Sequence, residues 1–501
     1  MNASRQSSRQ ARVWPLLIMG CLAGTGLASA VVGAQQNSVH PQPRAEELPG
    51  PAMATANPNR RVPQPEGTLP KVPAGFSVAS YAELRGPRMM VYAPNGDLFV
   101  SSPSTNSIFV LRDANNDGVF EARGVFADGQ TAPAPAPPPA AADGRPAPVL
   151  GVLEGPQSLV ANPPACTPPA DYRRHGPGGL RLPFGLAFHG DYLYVGNTDS
   201  IVRFEYRRGD LEARGAPEKL LDLPTGGHST RNIVFNRAGT KLYIAVGSAS
   251  NSDAGEDCRR AAILEANPDG TGARIYASGI RNPVGLTLQP GTDVVWAATN
   301  ERDNLGDDLV PDYATSVKDG GFYGWPYSYI GRHYDPKYVA AFPDLVGRAI
   351  VPDVLLPAHS AALGITFYTA SQFPARYRNG GFVALHGSWN RTVAAGYRVV
   401  FFPMVNGKPG PIEDFLTGFL ASTGENGTPV QQWGRPVGVT VAPDGALLVS
   451  DDSGNRIWRI TASTAVAVAH RRGSPRRGTW PSANRLAVCA AATITIPVEC
   501  T

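Results

Sequence analysis

One pattern recurs along this 501-residue chain and limits what it can fold into: an apolar strand, a glycine-bearing turn, then a second apolar strand. It starts at Arg88-Met89-Met90-Val91, at Pro183-Phe184-Gly185-Leu186 and at Arg231-Asn232-Ile233-Val234. It starts again at Arg281-Asn282-Pro283-Val284, at Leu363-Gly364-Ile365-Thr366 and at Arg435-Pro436-Val437-Gly438. Each start leads to a turn such as Pro94-Asn95-Gly96-Asp97 or Pro443-Asp444-Gly445-Ala446, and a third strand such as Ser107–Leu111 often follows. Self-similarity at a spacing of roughly 45 to 100 residues marks a repeat architecture. Repeated antiparallel units around an axis form a β-propeller. Six starts predict an all-β, six-bladed β-propeller over residues 71–461; a β-sandwich with a chance turn pattern is the competing arrangement. Gly 55 and Pro 48 agree with many turns and few long helices.

The remaining segments read differently. Arg5, Arg9 and Arg12 precede an apolar run from Val13 to Val32, and small residues follow at Ala28-Ser29-Ala30 and Val32-Gly33-Ala34. This is the layout of a cleaved secretory signal over residues 1–34. A retained anchor needs about 20 apolar residues, and here Gly and Ser dilute the run. Cys21, in Ile18-Met19-Gly20-Cys21, offers a lipoprotein alternative. The expectation is a periplasmic or secreted chain that does not span the membrane after cleavage. Residues 35–70 lack periodicity and read as a disordered leader. Residues 130–180 open with Ala/Pro-rich low complexity and read as an insertion. Residues 462–501 form a tail to which the sequence assigns no role. Cys166, Cys258, Cys489 and Cys500 show no CxxC spacing, so the pattern supports disulfides, with open pairing, over a zinc site. A net charge of +4 is too small to imply nucleic acid.

The chemistry concentrates at the repeat starts. Arg88, Arg231, Arg281 and Arg435 head four of them, and Arg391 ends a strand in His386-Gly387-Ser388-Trp389-Asn390-Arg391. If these heads share one mouth, several guanidiniums gather there, and an anionic ligand is their natural counterpart. Local pairing of each arginine with an Asp or Glu is the alternative. His228 follows two glycines and neighbours arginines, which lower its proton affinity and favour the neutral base; His386 is its competitor. Two oxygen-rich loops suit calcium. One holds Arg302 and Asp303 within Glu301–Asp308. The other holds Asp113, Asn115 and Asp117 with Gly118, but has Gly124 where an EF-hand needs Glu, so a plain hairpin turn competes. Tyr323, Trp325 and Trp389 offer flat faces for a planar ligand or serve as core.

Taken together, His228 with Arg231, Gly279-Ile280-Arg281-Asn282-Pro283-Val284-Gly285, Asn300-Glu301-Arg302-Asp303, Tyr323-Gly324-Trp325-Pro326 and the His386–Arg391 segment resemble the soluble pyrroloquinoline quinone (PQQ) dependent sugar dehydrogenases, on the L-sorbosone dehydrogenase-like side. The resemblance covers residues 71–461. It implies a six-bladed propeller with PQQ over the channel mouth, Ca²⁺ beside it, a small sugar substrate and an external electron acceptor. It implies His228 as the base that takes the hydroxyl proton during hydride transfer. It places Arg231, Arg281, Asn282, Arg391, Arg435 and Arg88 on the cofactor side. The family's calcium uses backbone oxygens of a Gly-Pro pair; Arg302-Asp303 stands there instead. Two rivals remain: a metal-dependent sugar lactonase, which needs side-chain carboxylates in the channel, and a non-catalytic propeller that binds a glycan or protein.

Overall fold

The computed structural model describes residues 42–115, 117–129 and 176–463. The expected signal with Cys21, most of the expected 130–180 insertion and the tail from residue 464 lie outside the described residues. Cys258 is disulfide-bonded, and its partner lies outside the described residues too. Among the described residues the fold is nearly all β, with one short α-helix, Pro343–Val346. No described helix is long and apolar enough to cross a membrane.

Six sheets, antiparallel except for one parallel edge pair in the third, follow one another along the chain, each beginning at one of the repeat starts. Their first strands are Met90–Tyr92, Gly185–His189, Ile233–Phe235, Asn282–Leu288, Ala362–Phe367 and Pro436–Val441. Each first strand touches the first strand of the next sheet, and Pro436–Val441 touches Met90–Tyr92, so the cycle closes. Phe184, Val284, Leu363 and Val437, each within the first four residues of its repeat start, pack together with Met89 at the centre. The glycine after Val437 has a steric reason. A Cβ on Gly438 would stand 2.4 Å from the carbonyl oxygen of Arg88, so a larger residue would push the sixth sheet off the first. Gly185, Gly285 and Gly364 follow Phe184, Val284 and Leu363 in the same way.

The sixth sheet takes its outer strand from the far end of the sequence. Phe76–Glu83 pairs antiparallel with Arg456–Ala462 over seven residue pairs. The sixth sheet thus pairs a strand that precedes the first sheet with the last strand of the repeats, and this pairing closes the cycle.

Residues 42–70, expected to be disordered, are held in an extended strap instead. Ala52 donates to Leu305 O at 2.9 Å and Asn57 to Trp389 O at 3.0 Å. Asn57 Nδ2 reaches Thr392 O at 2.9 Å, and Arg60–Arg61 pairs parallel with Gln431 and Gln432. Ala45 and Leu48 pack against a core cluster. The segment shows no periodicity because its backbone groups are satisfied by distant loops, not by a helix or sheet of its own.

Candidate active site

Antiparallel pairing brings the start of each first strand beside the end of each second strand: Asn282 opposite Asn300, Pro436 opposite Asp451, Ala362 opposite Leu385. The polar residues at the repeat starts therefore meet those that follow the second strands. His228, Ser248, Arg281, Glu301, His386, Arg435 and Asp452 all sit at this one edge.

The His228 loop is built by Arg231. Its guanidinium is fully buried and donates to Pro224 O at 2.8 Å, His228 O at 2.7 Å and Thr230 O at 2.7 Å. Arg231 thus shapes the loop from inside, and its bonds are all to backbone. His228 Nδ1 lies 2.9 Å from Ser248 O and 3.1 Å from Ser248 Oγ. A carbonyl only accepts, so Nδ1 carries the proton and Nε2 holds a lone pair. Nε2 has no hydrogen-bond partner among the described residues. Burial, then the Arg281 charge, push the imidazole down to about 4, which leaves it neutral near neutral pH.

Asn282 adjoins this histidine. Both crowd Gly247, where a Cβ would lie 2.3 Å from Asn282 Oδ1 and 2.7 Å from His228 Cβ. Asn282 Oδ1 is buried without a hydrogen-bond partner. Arg281 is saturated: it donates to Asn251 O at 3.0 Å, Asn251 Oδ1 at 3.0 Å and Glu301 O at 2.6 Å, and it pairs with Asp303 Oδ2 at 3.3 Å. Asp303 also receives Asn390 Nδ2 at 2.8 Å and faces His359 Nδ1 at 3.5 Å. Burial works against the Asp303 anion, but His359, Arg281 and Asn390 hold its carboxyl below the usual range.

Carboxylates occupy several of the other expected arginines. Arg88 pairs with Asp452 at 2.7 Å, Arg302 with buried Asp335, and Arg391 with Asp308. The picture of bare guanidiniums gathered at a mouth is thus replaced, for Arg88, Arg281 and Arg391, by ion pairs with carboxylates from elsewhere in the chain. Arg231, Arg260 and Arg435 differ. No carboxylate lies within ion-pair distance of them among the described residues. Arg260 donates to Gly247 O and Thr225 O, and Arg435 to His386 O at 3.1 Å and Gly387 O at 2.8 Å. Arg435 Nη1 has no partner among the described residues. Burial pushes all three guanidiniums down.

The calcium candidates are placed as follows. The Asp303 carbonyl already receives Arg302 Nε at 3.0 Å and Asn251 Nδ2 at 3.1 Å. Asp113 Oδ2 takes Gly118 N at 3.0 Å and Tyr81 Oη at 3.1 Å, and Asn115 and Asp117 bond each other at 3.0 Å. That loop sits on the turn between Ser107–Arg112 and Ala122–Asp128, apart from His228. No described group of three or more His, Cys, Asp or Glu side chains is arranged to hold a metal ion. Tyr323 and Trp325 are buried, bonded to Ser316 O and Asn251 O; Trp389 is 50 % exposed.

Residue reading of the sequence alone passed over Ser248, Asn251, Arg260, His359, Asn390 as a partner of Asp303, and Asp452. Ser248 and Asp452 follow second strands, as His386 does, so the strand-end rule would have found them. Asn251, Arg260 and His359 carry no such signal.

The edge of the ring of sheets thus carries a neutral, oriented histidine among buried cations. The Glucose / Sorbosone dehydrogenase family profile matches residues 197–388, and a TrAA12-like profile matches residues 346–463. An uncharacterized protein of Borreliella burgdorferi is 30% identical over 297 residues, 56% of this chain and 76% of that protein. The pyrroloquinoline quinone-dependent pyranose dehydrogenase of Coprinopsis cinerea is 32% identical over 344 residues, 55% of this chain and 46% of that protein. The chain thus spans less than half the length of that relative. The holo pyranose dehydrogenase PQQ domain of the same fungus superposes with a TM-score of 0.59 at 19% identity, covering 81% of this chain and all of that one. The chain belongs to the glucose/sorbosone dehydrogenase family.

Proposed function

We propose that this protein is an exported PQQ-dependent sugar dehydrogenase on a six-bladed β-propeller, periplasmic or secreted, passing electrons to an external acceptor. The observation that carries the reading is His228: tautomer fixed through Ser248, Nε2 bare, and the ring kept neutral beside Arg281. Such a group takes a proton from a substrate hydroxyl at neutral pH.

The residues present fit an anionic, planar cofactor. Arg231, Arg260 and Arg435 have no carboxylate within ion-pair distance among the described residues, and Arg435 Nη1 is available to an anion. Asn282 Oδ1 leaves a buried acceptor unsatisfied. Arg435 and Asn282 would therefore contact PQQ, with Arg391 and Arg88 at its margin; Arg231 and Arg281 act from behind by shaping the His228 loop and its charge. When bound, PQQ supplies a two-electron acceptor. Ca²⁺ belongs to the same reading as a companion ion. The Asp303 carbonyl does not fit it, because two donors already occupy that oxygen, and no step is derived through the ion.

Reconstitution tests the reading. Purified protein is titrated with PQQ in the presence of Ca²⁺, followed by tryptophan fluorescence, then assayed for dye reduction with a panel of aldoses. Saturable quenching and sugar-dependent reduction are expected. No PQQ binding, or binding without turnover of any sugar, overturns the proposal.

A further inference from the structure

Two atoms of Ser248 face His228 Nδ1, and only one of them fixes the tautomer by its own chemistry. Ser248 O lies at 2.9 Å and Ser248 Oγ at 3.1 Å. The carbonyl can only accept, whereas a serine hydroxyl both accepts and donates. A hydroxyl proton turned toward Nδ1 would favour the opposite tautomer, with the ring proton on Nε2. That tautomer has no lone pair on Nε2 and cannot take a proton there. The base therefore needs the Ser248 hydroxyl proton to be held elsewhere.

The loop after the second strand of the third sheet holds it. Ser248 Oγ donates to Ser250 O at 2.7 Å, so its lone pairs are left for His228 Nδ1. Ser250 is fixed in turn by Glu256. The carboxylate accepts Ser250 N and Ser250 Oγ, each at 2.6 Å, on Oε1, and Ala249 N at 2.7 Å on Oε2. Hydrogen bonds to an ionised acceptor are the strong class. Ser250 Oγ also accepts Asp253 N at 2.8 Å.

The backbone of Ser248 is secured independently of Glu256. Ser248 N donates to Arg281 O at 2.8 Å, and Arg260 Nη1 donates to the preceding carbonyl, Gly247 O, at 3.1 Å. The loop is also tied at other points. Tyr338 Oη donates to Ser252 O at 3.0 Å and accepts Ala254 N at 2.9 Å, and Cys258 is disulfide-bonded. Glu256 thus controls where the Ser248 hydroxyl points, while the Ser248 carbonyl stays in place without it.

We propose that Glu256 is a positioning residue for the base: by fixing Ser250 it keeps the Ser248 hydroxyl proton on Ser250 O, so that His228 Nδ1 meets two acceptors and Nε2 keeps its lone pair for the substrate hydroxyl. The proposal rests on the reading of His228 as the base and names what guards its tautomer. Glu256 acts through Ser250 and Ser248, and its carboxylate takes no proton from the substrate.

The test is a double-mutant cycle. Glu256→Gln replaces one accepting oxygen by an amide donor, which faces a backbone N–H and releases Ser250. Ser248→Ala removes the ambivalent hydroxyl and leaves the carbonyl. The His228 tautomer is read in cofactor-free protein near neutral pH by long-range ¹H–¹⁵N NMR, with the resonance assigned by its loss in His228→Asn. Then kcat, KM and PQQ affinity are measured after reconstitution. The wild type and Ser248→Ala are expected to show the Nδ1–H tautomer alone. Loss of hydrogen bonds to a charged group predicts a shift toward Nε2–H of about tenfold or more in Glu256→Gln, with kcat falling in proportion and PQQ affinity unchanged. Glu256→Asp, which keeps the charge at shorter reach, should fall between. The decisive variant is Ser248→Ala/Glu256→Gln: with no hydroxyl to misdirect, it should return to the Nδ1–H tautomer and to the kcat of Ser248→Ala. A tautomer unmoved in both Glu256 variants overturns the proposal. So does a double variant as impaired as Glu256→Gln, because Glu256 would then serve only the fold of its loop. A tautomer that responds as expected in a protein that turns over no aldose with PQQ defeats the dehydrogenase reading and leaves the role of Glu256 standing.

Discussion

His228 and Ser248 are locked to each other twice: His228 N donates to Ser248 O at 3.0 Å, and Nδ1 approaches the same oxygen at 2.9 Å. Ser248 N is in turn held by Arg281 O at 2.8 Å. Backbone and ring are thus fixed by one carbonyl, and the direction of Nε2 is set before any ligand arrives.

His228→Asn should keep the loop, because Arg231 builds it, while removing the proton acceptor. In protein reconstituted with PQQ, turnover should fall by about 10²–10⁴-fold, with PQQ affinity unchanged. Full turnover in this variant would falsify the role given to His228.

The pH profile follows from the same residue. Burial and Arg281 push His228 down to about 4, so the base form persists on acidification until about pH 4. The acid limb of kcat/KM should therefore fall near pH 4, not near the ordinary imidazole value of about 6.5. Arg281→Gln removes the second cause and should move that limb upward. It also strips Asp303 of its ion pair, so a loss on the order of 3 kcal/mol is expected in urea melts. An unmoved acid limb in Arg281→Gln would refute the electrostatic coupling.

Glu301 is buried beside Arg302 N and its carboxyl is pushed up to about 8, chiefly by burial; Asp312 is pushed up to about 6 for the same reason. Folded values above unfolded ones mean that the folded state binds more protons in between. Their contribution to stability is complete below the unfolded values and is lost as pH rises toward about 8. Thermal midpoints should decline over that interval, and Glu301→Gln should flatten the decline. A slope that is the same in the variant would show that Glu301 is ionised in the fold.

The strap gives a separate prediction. Asn57 ties Trp389 O and Thr392 O, on either side of Asn390 and Arg391. Asn57→Ala removes the bond to Thr392 and should cost about 1 kcal/mol. Limited proteolysis should then cut within residues 42–62 sooner than in the wild type. Equal protection would mean that the strap contributes nothing to the loop it crosses.

The repeat starts were legible because a strand buried in a ring must be apolar, and because the glycine after Phe184, Val284, Leu363 or Val437 stands where the next sheet leaves no room for a side chain. His228 was legible from its glycines and its arginines. The strap was not, since an extended segment paired with distant loops has no period of its own. The partners of the arginines were not either. Asp452 lies 364 residues from Arg88 in the numbering, and Asp303 is 22 from Arg281, with nothing local linking either pair.

The sequence by itself determined that this chain is β throughout its ordered core, that its polar residues fall at strand ends, and that a histidine stands among them. Those properties are local: they depend on alternation, turn residues and neighbours within one repeat. Only the tertiary structure decided which charges cancel. Closing the cycle brings the sixth sheet against the first, and this sets Asp452 on Arg88 and leaves the Arg435 guanidinium with no carboxylate in ion-pair distance among the described residues. Coulomb energy depends on distance in space, which strand-end position constrains only to one edge of the ring.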